Sequence, residues 1–400
     1  SSALLFSGFN LVILLVILYF FQLEISDLIF SKKVPDNILL IIFIGASSQS
    51  LSQYFLTFLK NTGMALSYIK FAISNSIIYF FVAIFLMNKF DLGLMSLVYG
   101  WSASHVILII SLFLNFRKKL IPYFDVKMFK EMFKISLPAT PRVFFGVMAT
   151  QLDKILLDII GSTSLVGLYY VGQTFSSTIF QVMTGLGKVF QPEIYRKLFA
   201  EKHINNTQDI NNFILPFFYV SIFIALVVSM FSKEFMNAFI SSEYIEAIPV
   251  IVVLSIYYAI IFFGKITGIQ MIYAKKTHIS TLLMFVGIAI NIGLNIPFIM
   301  EWGILGAAWA TTISGFLITF IGFYVAQKYA KIIWLWRSIF LLYSVFILGA
   351  VFALIDYSEL INISSFALIM FKFLIIMIYL ILGYKIKLWN FLQFREVLKF

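Results

Sequence analysis

The chain has no cysteine among its 400 residues. Disulfides and thiolate chemistry are therefore excluded, and the redox compartment leaves no mark on the sequence. Charge is nearly as scarce: Asp, Glu, Lys and Arg make up 12% of the residues, against 62% hydrophobic ones and a mean hydropathy of +1.00. A soluble domain of this size cannot hide that much apolar surface from water. Histidine is limited to 3 residues, and no His/Cys group has metal-ligand spacing. A GxxxxGK[ST] phosphate loop and a GxSxG nucleophile elbow are both missing, and no stretch is polar enough to house a soluble active site. An enzyme is not expected, and neither is a cofactor or a metal. The opening residues SSALLFSGFN lack the basic stretch of a cleavable leader and run directly into a full-length span.

What the chain holds in quantity is apolar sequence of membrane-spanning length. Twelve segments qualify, at roughly 2–23, 38–59, 68–88, 92–116, 135–160, 164–190, 211–231, 248–272, 277–299, 303–326, 333–355 and 361–384. The expected fold class is all-α, a polytopic membrane protein with about twelve transmembrane helices. A net charge of +11 would suggest nucleic acid in a soluble chain, but here the placement of the charges matters more. Most of the 29 Lys and Arg fall after even-numbered spans or at the C-terminus, among them Arg117, Lys118, Lys119, Lys275 and Lys276. The opposite loops hold Lys32, Lys33, Lys89 and Lys233, while Arg142, Lys154, Lys265 and Lys372 lie inside spans. By the positive-inside rule the richer side is cytoplasmic, which places Ser1 and Phe400 in the cytoplasm.

One span differs from the rest. Ile135 to Gly161, ISLPATPRVFFGVMATQLDKILLDIIG, carries Arg142, Asp153, Lys154 and Asp158. Each charge would cost roughly 2.5 to 3.5 kcal/mol on a lipid-facing helix, so this segment must face protein or water. At about 100° per residue Arg142 and Asp153 point the same way, roughly 16 Å apart along the axis. Pro138, Pro141 and Gly146 favour a bend toward an internal cavity. The segment is read as the wall of a transport pathway.

Two stretches look interfacial. DVKMFKEMFK, Asp125 to Lys134, alternates an apolar face with Lys127, Lys130, Glu131 and Lys134, with Asp125 as N-cap. Glu193 to Asn212, after Pro192, is the most polar part of the chain and reads as a second cytoplasmic loop or short helix. A weak parallel repeat also shows: at an offset of 210, Asp91 matches Glu301, Gly93 matches Gly303, Ser96 matches Gly306 and Gly100 matches Ala310. On that offset the partner of Ile135 would fall about 75 residues ahead of Ser1, room for two more spans.

The stretch ISLPATPRVFF, followed by TQLDKILLDIIGSTSLVGLYYVGQTFSSTIFQVMTGLGKVFQPEIYRKLF, resembles the polysaccharide-biosynthesis transporters. These are the O-antigen and lipid-linked oligosaccharide flippases of the multidrug, oligosaccharidyl-lipid and polysaccharide exporter superfamily. KKTHISTLLMFVGIAINIGLNIPFIMEWGILGAAWATTIS is similar to a second part of that family, through Lys276, Thr277, Asn291, Leu294, Asn295, Gly303, Gly306, Ala307, Ala308, Ala310 and Thr311. The resemblance implies a MATE-like two-bundle fold lacking its first two helices. Its parts would be a four-span N-terminal bundle at 1–120, a cytoplasmic amphipathic linker helix at 121–134, a six-helix C-terminal bundle at 135–328 and two appended helices at 329–400. It further implies a flippase that moves an undecaprenyl-diphosphate-linked oligosaccharide across the bacterial cytoplasmic (inner) membrane, for O-antigen, lipopolysaccharide, capsule or exopolysaccharide synthesis. The mechanism would be alternating access through a cationic cavity. Implied partners are membrane lipid, an H+ or Na+ counter-ion, a polysaccharide polymerase and chain-length proteins, with no nucleic acid. The alternative is a multidrug or organic-cation antiporter of the same fold, which calls for net acidic rather than basic groups in the cavity.

Candidate residues follow from what a diphosphate and its sugars demand. Arg142 and Lys265 each stand some 12 to 15 Å inside the cytoplasmic face and suit the diphosphate; the competing readings are a structural ion pair and snorkelling. Asp153, Lys154 and Asp158 suit ion coupling, or else neutralise one another, since Lys154 and Asp158 are i,i+4 neighbours. Tyr169, Tyr170 and Gln173 open the next span and suit sugar contact, or interface anchoring. Lys372, His105, Asn291 and Asn295 fit packing and helix-to-helix hydrogen bonding better than ligand contact.

Overall fold

A computed structural model describes residues 2–29, 35, 37–62, 64–118, 123–200, 207–358 and 364–386. Every regular element among them is a helix: α1 (Ser2–Ile29), α2 (Ile38–Asn61), α3 (Ala65–Phe90), α4 (Met95–Phe116), α5 (Val126–Ile160), α6 (Thr163–Ala200), α7 (Thr207–Met230), α8 (Ser232–Phe239), a 3-10 turn (Ser242–Ala247), α9 (Ile248–Tyr273), α10 (Thr277–Tyr329), α11 (Trp336–Tyr357) and α12 (Ser365–Lys385). Hydrocarbon leaves no water to satisfy backbone N–H and C=O groups, so an apolar chain closes those bonds within helices. Two compact units follow in order, Ser1–Thr140 and Pro141–Phe400.

In the first unit α4 packs on α2 and α3 through small residues. A Cβ added at Gly100 would lie 2.9 Å from that of Ala83, so the close approach depends on glycine there. Phe55, Leu56, Leu59, Leu108, Leu112 and Phe116 fill the space between. The expected linker helix is not a separate element: Val126–Lys134 runs without interruption into the span as α5, a helix of 35 residues and about 52 Å, well beyond the bilayer core. Asp125 caps it, accepting the Met128 N–H at 3.0 Å, and Ser2 Oγ accepts the Asp125 N–H at 2.9 Å. Part of its apolar face packs on protein, with Phe129 4.7 Å from Phe6 between ring centroids.

The second unit is organised on α9, which touches α6, α7, α10 and α11 and buries most of its N-terminal half. Phe218, Phe262, Trp334, Phe346 and Tyr379 form its main core. The polar stretch expected as a loop or short helix after Pro192 continues α6 as far as Ala200, and α7 begins at Thr207. The expected ninth and tenth spans are two arms of α10, broken at Gly303 (φ 55, ψ −128). The arms run antiparallel: Asn291 reaches Thr311 and Ser314 by hydrogen bonds, 20 and 23 residues along the chain. On a straight helix 20 residues span about 30 Å. Gly93 has the same backbone sign, φ +52 against +55 at Gly303, so the offset of 210 relates equivalent reversals. It carries α2, α3 and α4 onto α9 and the two arms of α10.

Among the described residues eight helices are long and apolar enough to cross a membrane, and Ile214–Met230 with Ser232–Phe239 forms a further apolar pair bent by 57°. Neither α5 nor α6 is among them. α5 carries the buried Asp153, and both helices contribute side-chain amides to one cavity.

Candidate functional site

Asp153 lies on α5 and is 4% exposed. Its Oδ2 accepts hydrogen bonds from the Tyr169 hydroxyl of α6 and the Thr311 hydroxyl of α10, both at 2.8 Å. Its Oδ1 accepts one from Asn295 Nδ2 of α10 at 3.0 Å. Each such bond to a carboxylate contributes about 1.5 to 3 kcal/mol, so three helices are pinned on one side chain. Asn295 Nδ2 also donates to the Asn291 carbonyl at 3.0 Å, while Asn295 Oδ1 is buried without a partner. The site thus presents a carboxylate and an idle amide oxygen on the same network, donors suited to a proton or a hard cation.

Beside Asp153 opens a cavity of about 640 Å³ between α5, α6, α9 and α10. Lys154, Gln151, Gln173, Gln181, Tyr170, Tyr257, Tyr258, Asn291, Thr311 and Ser314 are among its lining residues. Lys154 Nζ donates to the Thr150 carbonyl and to Gln151 Oε1, each at 3.2 Å, and stands 5.8 Å from the Tyr170 ring centre. No group of three or more His, Cys, Asp or Glu side chains gathers among the described residues.

The expected site residues divide. Asp153, Lys154 and Gln173 line the cavity. Tyr169, expected to meet sugar, is wholly buried and is spent on Asp153; its neighbour Tyr170, turned by about 100°, faces the cavity instead. The i,i+4 pairing of Lys154 with Asp158 is not made: Asp158 Oδ1 accepts the Thr163 hydroxyl at 2.9 Å and lies away from the cavity lining. Lys265 does not line it either. Its Nζ donates to Thr184 Oγ1 at 2.9 Å and sits 4.4 Å over the ring of Phe180, a lining residue. The Arg142 side chain lies outside the described residues. Asn295 and Thr311, Tyr257 and Tyr258, and Gln151 and Gln181 were not singled out as ligand groups, although the repeat held a signal. At the offset of 210, Asn291, Asn295 and Thr311 match Phe81, Phe85 and Trp101, so one copy of the repeat alone is polar here.

Helices of membrane length, with a buried carboxylate beside a cavity, mark a multi-pass membrane protein. The model of a family described as "Polysaccharide biosynthesis protein" matches residues 2–249. The chain belongs to that family. No curated protein matches it. Among solved structures, the lipid II flippase MurJ in an inward closed conformation is 16% identical with a TM-score of 0.69, the match covering 99% of this chain and 84% of that one. The Vibrio cholerae MATE transporter VcmN in its bent form is 15% identical, TM-score 0.57, covering 85% and 79%. An outward-facing multidrug resistance MATE family transporter of the MOP superfamily is 13% identical, TM-score 0.55, covering 81% and 76%. These likenesses establish the fold.

Proposed function

We propose that this chain flips a prenyl-diphosphate-linked oligosaccharide across the bacterial inner membrane for O-antigen, capsule or exopolysaccharide synthesis, by alternating access. The observation that carries this reading is the cavity beside Asp153, whose wall holds amides, hydroxyls and Lys154, within a bundle of helices of membrane-spanning length. A polar headgroup crossing hydrocarbon needs such a surface in place of its hydration, while the prenyl tail stays in lipid. In this reading Arg142 and Lys265 engage the diphosphate, Gln173 contacts the sugars, and Asp153 with Lys154 couples the movement to H+ or Na+. Both termini are cytoplasmic by the charge distribution, and a polymerase and chain-length proteins receive the product.

A second reading, an organic-cation antiporter, draws on Tyr170, Tyr257 and Tyr258 around one carboxylate. Lys154 in the same lining opposes it, since an incoming cation would meet a like charge.

The test is a leaflet assay. Purified protein is placed in vesicles carrying a fluorescent prenyl-diphosphate saccharide, and dithionite is added to bleach the outer leaflet. Bleaching beyond the protein-free plateau is expected, slowed in Arg142→Ala and in Asp153→Asn. Vesicles that stop at the protein-free plateau with active wild-type protein would refute the flippase, and uptake of ethidium in the same vesicles would favour the antiporter.

A further inference from the structure

The cavity's charge does not suit a diphosphate. Asp153 and Lys154 are its ionisable acid and base, so the lining is close to neutral, and the carboxylate would repel a phosphate brought alongside. Lys154 is in addition engaged by the Thr150 carbonyl and Gln151.

What the wall offers instead is neutral hydrogen bonding beside aromatic faces. On α6, Gln173, Ser177 and Gln181 follow one another at i,i+4 spacing and all line the cavity, so their side chains form a stripe about 12 Å long. Among the described residues, no hydrogen bond engages the side-chain amides of Gln173 and Gln181. Each amide has two donors and an acceptor oxygen, the complement of vicinal hydroxyls. Tyr257 and Tyr258 of the neighbouring α9 line the same cavity, their ring centroids 5.0 Å apart and their planes at 62°. A volume of about 640 Å³ falls within the 300–1,000 Å³ usual for small-ligand pockets.

We infer that this cavity is the saccharide subsite: it takes a neutral, hydroxyl-rich ring against the α6 amide stripe, beside Tyr257 and Tyr258, and leaves the diphosphate outside. The inference rests on the flippase reading above and adds the class of ligand and the residues that read it. Sugar selectivity is then set by Gln173 and Gln181, separately from the anion-binding groups.

Native mass spectrometry of the purified full chain in detergent tests this with two kinds of probe. One is undecaprenyl diphosphate; the other is a panel of undecaprenyl-diphosphate monosaccharides bearing glucose, galactose, N-acetylglucosamine or N-acetylgalactosamine. Wild type is expected to bind at least one sugar-bearing lipid about tenfold more tightly than undecaprenyl diphosphate, the effect of about one well-made hydrogen-bonded contact. Gln173→Leu with Gln181→Leu should abolish that preference while its affinity for undecaprenyl diphosphate stays within about twofold. The single changes Gln173→Asn and Gln181→Asn, which keep the neutral amide and shorten its reach, serve as a second set and should change the rank order of the sugars. Equal wild-type affinity for all the lipids, or a parallel loss of both kinds in the variants, would overturn the subsite. If wild type binds none of these lipids, the flippase reading falls and the subsite with it; if it binds undecaprenyl diphosphate without sugar preference, only the subsite falls.

Discussion

Lys372 tests how the second unit accommodates charge away from its cavity. Its side chain is wholly buried on α12, with Nζ 2.6 Å from Glu234 Oε1 of α8 and 2.6 Å from Asp356 Oδ2 of α11. Lys233 Nζ completes the group, 3.1 Å from Asp356 Oδ1 and 2.9 Å from the Asp356 carbonyl. Two bases and two acids thus hold three helices together. Lys372→Met keeps the length of the side chain and removes the charge. Stripping one partner from a buried pair costs about 3 to 5 kcal/mol. Here Asp356 retains Lys233, and the Glu234 side chain is 36% exposed although its Oε2 is buried, so its share is discounted and the lower end applies, about 3 kcal/mol. At about 2 to 4 °C per kcal/mol for a unit of this size, the melting temperature should fall by about 6 to 12 °C. Size-exclusion with fluorescence detection after heating measures it in detergent. Adding Glu234→Gln to Lys372→Met removes the acid left without its base and should recover about half the loss. A single variant melting within about 2 °C of wild type, or a double variant melting below the single, would refute the view that the group is a neutral, mutually dependent cluster.

Other outcomes are equally specific. Gly303→Ala forces a side chain into a left-handed backbone and should cost at least about 1 to 2 kcal/mol, whereas Gly293→Ala, with open space around it, should be neutral or stabilising by up to about 1 kcal/mol; thermal unfolding separates them. Tyr169→Phe removes one donor from Asp153 and should destabilise by about 1.5 to 3 kcal/mol, and an unchanged melting temperature would show that this bond contributes nothing. Asp153→Asn turns an acceptor of three hydrogen bonds into a group whose NH2 meets donors, so the leaflet assay should slow at least about tenfold and lose its dependence on an ion gradient.

The spans were legible because hydrocarbon imposes length and apolarity directly on sequence, and α1 through α4 fall close to the expected segments. The Gly303 reversal was legible through the match to Gly93. Asp153 stood out because a carboxylate at that depth needs partners. Its partners did not: Tyr169, Asn295 and Thr311 lie 16, 142 and 158 residues away, and nothing local announces which hydroxyl turns toward it. Helical spacing misled at Lys154 and Asp158, because i,i+4 proximity permits a pair without requiring it. A backbone carbonyl one turn back satisfied the ammonium, and Thr163 at the start of α6 satisfied the carboxylate. The expected separate linker helix failed for a related reason: the amphipathic pattern at Asp125–Lys134 says which face is apolar, and is silent on whether the helix stops.

The repeat makes the functional argument sharper than either half does alone. Equivalent helices with the same reversal carry Phe81, Phe85 and Trp101 in one copy and Asn291, Asn295 and Thr311 in the other. If polarity at these positions served only to pack two antiparallel arms, both copies would need it, and the first unit packs without it through Gly100 against Ala83. Phe81 and Phe85 are 65% and 57% exposed, which shows that the helix tolerates apolar side chains there. The amides of the second copy therefore answer to more than the packing of the two arms. Their hydrogen bonds converge on Asp153, directly from Asn295 and through Thr311 from Asn291, beside a cavity with unengaged glutamines. The chain thus places its charge in two ways: a closed neutral cluster at Lys372, where every cation has an acid, and an open one at Asp153, where hydroxyls and amides stand in for the missing cation.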